Sequence, residues 1–187
     1  ALSEAEKIRS AVRGLNAIVC DVLTFSREMS PQPMVIEAAG FLRSVLDAHA
    51  PAIEAANIQV ALNLADHHLQ LRADPDLLRQ AILNLVRNAV DAMDHGCGML
   101  TLEVSRQDNR VLIRVRDTGP GIGPDDIDRI FNPFFTTRNT GTGLGLAIVH
   151  RIVDAHGGAI AVHNEKGAVF TLSLPDQFDV VTTECSQ

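Results

Sequence analysis

The chain has 187 residues, 46% apolar and 21% charged, the profile of an ordinary globular protein rather than a disordered or fibrous one. Its 16 lysines and arginines against 23 aspartates and glutamates leave a formal charge of -7; the average field repels an extended phosphate backbone and argues against nucleic acid as a partner. No run approaches the roughly 18 to 20 uninterrupted apolar residues that a bilayer crossing needs, and Ala1 to Ser10 is charged rather than signal-like, so no membrane contact is expected of this segment.

Three cysteines, Cys20, Cys97 and Cys185, form an odd set without metal-ligand spacing. Neither a disulfide framework nor a zinc site is signalled, and a reducing, cytoplasmic setting is expected, whatever anchor a longer protein carries upstream. With no Trp or Tyr and 7 Phe, the core must be aliphatic and there is little to stack nucleobases on.

In chain order, apolar residues at Ile8, Val12, Leu15, Val19 and Val22, with a second row at Ala11, Ile18 and Phe25, alternate steps of three and four. That spacing predicts a helix over 1–29 with a coiled-coil-like seam, broad enough to face both a partner and its own domain, although a plain packed helix has the same pattern. Pro31 and Pro33 end it, and 30–34 reads as a linker. A helix around Phe41 to Ile53 follows, bent near Pro51, then a strand at Ile58 to Leu64 and a short strand at Leu69 to Arg72 that completes a hairpin with it. Asp74 is an N-cap and Pro75 the first residue of a helix to about Asp94, because a proline there loses no hydrogen bond. Leu100 to Val104 and Val111 to Val115 read as another hairpin. From Thr118 to Gly145 the chain turns to Gly, Pro, Thr and Phe, a weakly patterned stretch of the kind that forms functional loops and lids. A helix from Leu144 to about Ala155 stops at Gly157 and Gly158. Strands at Ala159 to His163 and Val169 to Leu174 close a domain over 35–175, and 176–187 reads as a frayed tail. This mixed order suggests an α/β two-layer sandwich, a mixed β-sheet with helices on one face.

Three stretches carry chemistry. On the helix after Pro75, Asn84, Asn88 and Asp91 fall at i, i+4 and i+7, a polar stripe beside Leu83, Leu85, Val86, Ala89 and Val90. Burying such a stripe is costly unless it binds something, whether a ligand or a neighbouring strand end. Asp117-Thr-Gly-Pro-Gly-Ile122 follows a strand; it is a plain turn or a place where a flat ligand meets backbone and a carboxylate accepts from an amine. Gly141-Thr-Gly-Leu-Gly-Leu146 runs straight into a helix, which aims free amides and a positive dipole end at an anion. It is neither a Walker pattern nor a dinucleotide fingerprint.

In order and spacing these stretches resemble the ATP-binding domain of sensor histidine kinases, within the superfamily that includes gyrase-type and chaperone ATPases. The N box is Asn84-Leu-Val-Arg-Asn88-Ala-Val-Asp91, the G1 box Asp117-Thr-Gly-Pro-Gly121, the F box Phe131-Asn-Pro-Phe-Phe-Thr-Thr137 and the G2 box Gly141-Thr-Gly-Leu-Gly-Leu146. The wording Asn-Ala-Val-Asp-Ala-Met93 is closest to nitrogen-regulation-type kinases. The resemblance implies a Bergerat-type fold over Met34 to Pro175, preceded by the second helix of a dimerisation domain. It implies ATP and Mg²⁺ as cofactors. Asn88 is expected to hold the metal and Asp117 the adenine amine, with Gly119, Gly121 and Ile122 beside the base. The nucleotide set is completed by Asn84, Asp91, Thr137, Thr142 and the amides of Gly141, Gly143, Leu144, Gly145 and Leu146. Arg138 is expected to meet the γ-phosphate as the catalytic arginine of a lid over Gly123 to Thr140, packed down by Phe131, Phe134 and Phe135.

Departures from the pattern are as informative. Asn84 stands where gyrase-like relatives have a water-activating glutamate, which favours transfer over hydrolysis. Ala168 stands where many relatives have a threonine near adenine. None of His49, His67, His68, His95, His150, His156 or His163 has the neighbours of the family's phosphoacceptor, so the segment is expected to be the C-terminal part of a larger, homodimeric kinase whose acceptor histidine lies outside it. The implied partners are a histidine-bearing dimerisation domain and a response-regulator receiver domain. A regulatory nucleotide-binding module, or a serine kinase or ATPase on the same fold, are the alternatives.

Overall fold

A computed structural model describes residues 25–93, 96, 98–138 and 141–176, together with 9, 12, 15, 19, 22 and 23. The elements are β1 Met34–Glu37, α1 Ala38–Ala55, β2 Ile58–Leu64, β3 Gln70–Ala73, α2 Pro75–Ala92, β4 Gly98–Gln107, β5 Arg110–Arg116, α3 Gly145–Ala155, β6 Ala159–Asn164 and β7 Ala168–Pro175. Most of the expected dimerisation-type helix, the three cysteines and the tail from 177 on lie outside the described residues.

Five strands form one mixed sheet in the order β2-β4-β5-β7-β6. The β2–β4 pair is parallel and the other three pairs are antiparallel. In β5, Val111, Ile113 and Val115 are buried between half-buried Arg110, Leu112, Arg114 and Arg116, the alternation of a sheet covered on one face. The register sets Val115 opposite Phe170 and Ile113 opposite Leu172, so one continuous apolar face results. Helix α2 buries Leu78, Ala81, Ile82, Leu85, Val86 and Ala89, steps of three and one that hold a single stripe on the sheet. As expected from the scarcity of aromatics, the core is aliphatic apart from Phe41 and Phe170.

The hairpin expected between Ile58 to Leu64 and Leu69 to Arg72 does not form. β3 pairs antiparallel with β1, Met34 opposite Ala73, in a separate two-stranded ribbon, while β2 joins β4. Of the β1 residues Met34–Glu37, the sequence assigns only Met34, to the linker, and expects no strand there. Asp66 turns the chain back between β2 and β3: its Oδ1 accepts from the His68 amide at 2.9 Å and its carbonyl from the Leu69 amide at 3.3 Å.

Helix α2 begins as expected at Asp74, whose Oδ1 accepts from the amides of Asp76 and Leu77, both at 3.0 Å. Its Oδ2 accepts from the Gln32 amide at 2.8 Å, which ties the segment before β1 to the same cap. Partial burial raises the Asp74 carboxyl pKa, but these three amides and nearby His156 outweigh it and hold it below the ordinary 3.8. His156 is buried; its Nδ1 lies 2.7 Å from the Ile152 carbonyl and its Nε2 accepts from the Asp74 amide at 3.0 Å. With both ring nitrogens engaged by main-chain groups, the imidazole ties the end of α3 to the start of α2 and has a structural role. Arg151 of α3 reaches the end of the preceding helical segment. Its Nη1 donates to the Phe25 carbonyl, its Nη2 to the Arg27 carbonyl at 3.2 Å, and its guanidinium lies 5.0 Å from the centroid of the Phe25 ring. Phe25 and Met29 pack on the core below it.

Candidate nucleotide-binding site

A cavity of about 400 Å³ opens between α2, the end of β5, the start of α3 and the loop that joins β5 to α3. Asp117, the first residue after β5, lies at its base and is 4% exposed. One carboxylate oxygen is already committed: Oδ1 accepts from the Gly119 amide at 2.8 Å and from the Ala168 amide at 3.2 Å. Oδ2 has no partner among the described residues, and a nearly buried carboxylate oxygen without a donor is a ready acceptor for a ligand amine. Ala168 lines the cavity beside it.

Two features that hold this base were not read from the sequence. Asn164, at the end of β6, accepts from the Ile122 amide at 2.9 Å and donates to the Ile122 carbonyl at 2.7 Å, so one side chain pins the Gly121–Ile122 loop. Gly167, in the turn before β7, has φ 149°, and a Cβ there would lie 2.0 Å from the Asp117 carbonyl oxygen. Only glycine fits so close to that backbone. The one available signal was the Glu-Lys-Gly turn between two strands, which says nothing of what packs against it.

On α2, Asn88 and Asp91 line the cavity; Asn84 does not, and its Oδ1 lies instead beside Gly145 at the start of α3. Arg138 crosses from the loop: its Nη1 meets Asp91 Oδ2 at 2.9 Å and its Nη2 donates to the Asn88 carbonyl at 3.1 Å. Gly121, Ile122, Thr137, Gly141, Thr142, Gly143, Gly145 and Leu146 complete the expected residues that line the cavity. Two more stand behind it. Gly119 packs against Ala92, and the Leu144 side chain is buried in the core while its amide donates to Thr142 Oγ1 at 3.2 Å. Among the described residues no side chain caps α3, and a helix start of this kind suits an anion.

The loop is anchored unevenly. Ile130 is buried, Phe135 carries Arg129 at 4.6 Å from its ring centroid, and Phe131 lies 5.7 Å from the His150 ring. Phe134, expected to pack inward, is 68% exposed. Its backbone is what holds: its amide donates to the Gly143 carbonyl at 3.0 Å, and a Cβ on Gly143 would lie 2.4 Å from its carbonyl carbon. With φ at 66°, Phe134 is turned by that close approach and its ring faces outward.

Behind α2, half-buried His49 has no partner for Nδ1 among the described residues. Burial, reinforced by the Arg87 guanidinium and opposed by Asp91, lowers its imidazole below the ordinary 6.5. Of the other histidines, His67, His68, His150 and His163 are exposed, and His95 lies outside the described residues.

Residues 73–177 match the family model described as histidine kinase-, DNA gyrase B-, and HSP90-like ATPase, and the chain belongs to that family. Within it, the similarities are to sensor histidine kinases. Sensor histidine kinase ZraS of Salmonella typhi is 37% identical over 164 residues, 86% of this chain and 35% of that kinase. This chain thus spans about a third of that relative. The catalytic domain of histidine kinase ThkA matches with TM-score 0.72 and 32% identity over 78% of this chain and 96% of that one; ThkA in complex with response regulator protein TrrA matches with 0.79 and 30%, over 91% and 49%. Full-length ShkA in complex with AMPPNP matches with 0.77 and 35%, over 93% and 39%. The fold is that of a histidine kinase catalytic domain, the mixed sheet expected from the sequence.

Proposed function

We propose that the chain binds ATP with Mg²⁺ and passes the γ-phosphoryl group to a histidine outside itself, from which it moves to an aspartate of a response regulator. The observation that carries this reading is the meeting of the four boxes around one cavity, with the open Asp117 oxygen at one end and Arg138 at the other. ATP binding has further support in the family membership and in the AMPPNP bound by ShkA, and a response-regulator partner in the ThkA complex.

In this reading Asp117 Oδ2 accepts from the adenine amine, with Gly119, Gly121 and Ile122 beside the ring. Amides of the run Gly141 to Leu146 take the phosphates at the start of α3, once the weak bonds from Gly141 to the Arg138 carbonyl and from Leu144 to Thr142 Oγ1 are exchanged. Asn88 fits Mg²⁺ through its side-chain oxygen, the donor type this cation prefers; the metal when bound neutralises phosphate charge. Arg138 stabilises charge on the transferring group, while Asn84 offers no base to activate water. Residues 35–175 form the catalytic unit and 1–29 supply half of a helical hairpin. The whole protein is a homodimer through that hairpin, and this segment works in the cytoplasm.

The test mixes the chain with labelled ATP, Mg²⁺ and a separately purified dimerisation domain that carries the acceptor histidine. Acid-labile label is expected on the second protein, dependent on Mg²⁺ and on the concentration of both, with none on this chain alone. Rapid labelling of this chain alone would make one of its own histidines the acceptor. ATP binding without transfer would favour a regulatory module.

A further inference from the structure

Asp91 is an odd residue to line a phosphate site, since a carboxylate beside phosphates repels them. Its partner explains its place. Arg138 spends one terminal nitrogen on Asp91 Oδ2 at 2.9 Å and the other on the Asn88 carbonyl at 3.1 Å. Thr136 Oγ1 steadies the same residue by accepting from the Arg138 amide at 3.1 Å. Both charged side chains are partly exposed, 37% and 50%, so the pair is a weak one that can exchange. With its charge answered by a carboxylate and one further donor spent on a main-chain carbonyl of α2, this guanidinium can be drawn to a terminal phosphate only in competition with Asp91.

We propose that Asp91 is a positioning residue that parks Arg138 on α2 while the site lacks a terminal phosphate, and so competes with the γ-phosphate for that arginine. The inference rests on the reading of Arg138 as the phosphate-contacting arginine. It makes the site's preference for triphosphate over diphosphate depend on Asp91, because ligand affinity falls by the fraction of molecules whose arginine is held elsewhere. Asp91 also repels phosphates directly, but that effect does not need Arg138 and acts on ADP as well.

The two are separated by a double-mutant cycle with Asp91→Ala and Arg138→Ala, read by calorimetric titration of Mg²⁺-ATP and Mg²⁺-ADP. Asp91 is exposed on a helix, where alanine is well tolerated. Asp91→Ala is expected to raise the ATP-to-ADP affinity ratio about two- to fivefold, and Asp91→Asn, which keeps an acceptor oxygen, by less. In the Arg138→Ala background, Asp91→Ala should leave the ratio unchanged. An equal change in both backgrounds, or none in either while Arg138→Ala itself weakens ATP, overturns the parking role and leaves the phosphate contact standing. If Arg138→Ala binds ATP as tightly as the unaltered chain, the phosphate contact fails, and this proposal with it.

Discussion

Replacing Gly167 with alanine tests how the base of the site is held. The new methyl carbon would lie 2.0 Å from the Asp117 carbonyl oxygen, 2.7 Å from its carbonyl carbon and 2.9 Å from Thr118 Cα. Ordinary contacts begin near 3.4 Å, so more than an ångström must be recovered, and every atom to be moved is backbone. The residue also sits at φ 149°, where a side chain adds strain of about 1 to 3 kcal/mol. With the overlap, the total should reach roughly 3 to 5 kcal/mol, a fall in Tm of roughly 6 to 20 °C for a domain of this size. Gly96→Ala is the control: its φ is 83° but no atom of the described residues lies within 4 Å, so it should report strain alone, about 1 kcal/mol. Thermal and urea unfolding would measure both variants, and ATP titration below the lower Tm should show affinity lost only in Gly167→Ala, because Asp117 must shift. A Gly167→Ala chain as stable as Gly96→Ala and with undiminished ATP affinity would mean that Gly167 does not hold the Asp117 backbone in place.

Asp117 should set base preference: a carboxylate accepts from the adenine amine but faces the guanine carbonyl, a mismatch of about 1 to 3 kcal/mol, so ATP should bind roughly ten- to a hundredfold more tightly than GTP. Asp117→Asn keeps an oxygen for the Gly119 and Ala168 amides while placing a donor toward the base, so calorimetry with both nucleotides should show that gap close. For His49, a lowered imidazole pKa means that between 6.5 and the folded value the unfolded chain binds the extra proton. Stability should therefore fall as pH drops through and below 6.5, and urea midpoints of a His49→Gln variant should lose part of that slope.

How far the sequence was legible depends on the range of the interaction. The 3.6-residue period alone places Asn88 and Asp91 on one face of α2, and a proline after an aspartate marks its start; both are local facts, and the chain bears them out. Strand alternation likewise finds β2, β4, β5, β6 and β7. The short strand at Leu69 to Arg72 is found as β3, but β1 and its pairing escape, because four residues are too few for a period and because pairing Met34 with Ala73 is a long-range choice. Asn164 and Gly167 escaped for the same reason: each acts on the loop after Asp117, some 40 or 50 positions earlier. Phe134 misled because an aromatic side chain normally packs inward, yet here its backbone makes the contact and its ring is left outside.

The grip of Arg151 on the carbonyls of Phe25 and Arg27 gives α3 the mechanics of a lever. Arg151 is six positions on from Gly145, about 9 Å along a helix axis. A tilt of about 10° pivoting at Arg151 would carry the Gly145 backbone roughly 1.6 Å, over half the length of a hydrogen bond. The angle at which the preceding segment leaves the domain and the aim of the glycine-run amides are therefore geometrically linked, and a change imposed at either end has its amplitude set by the length of one short helix.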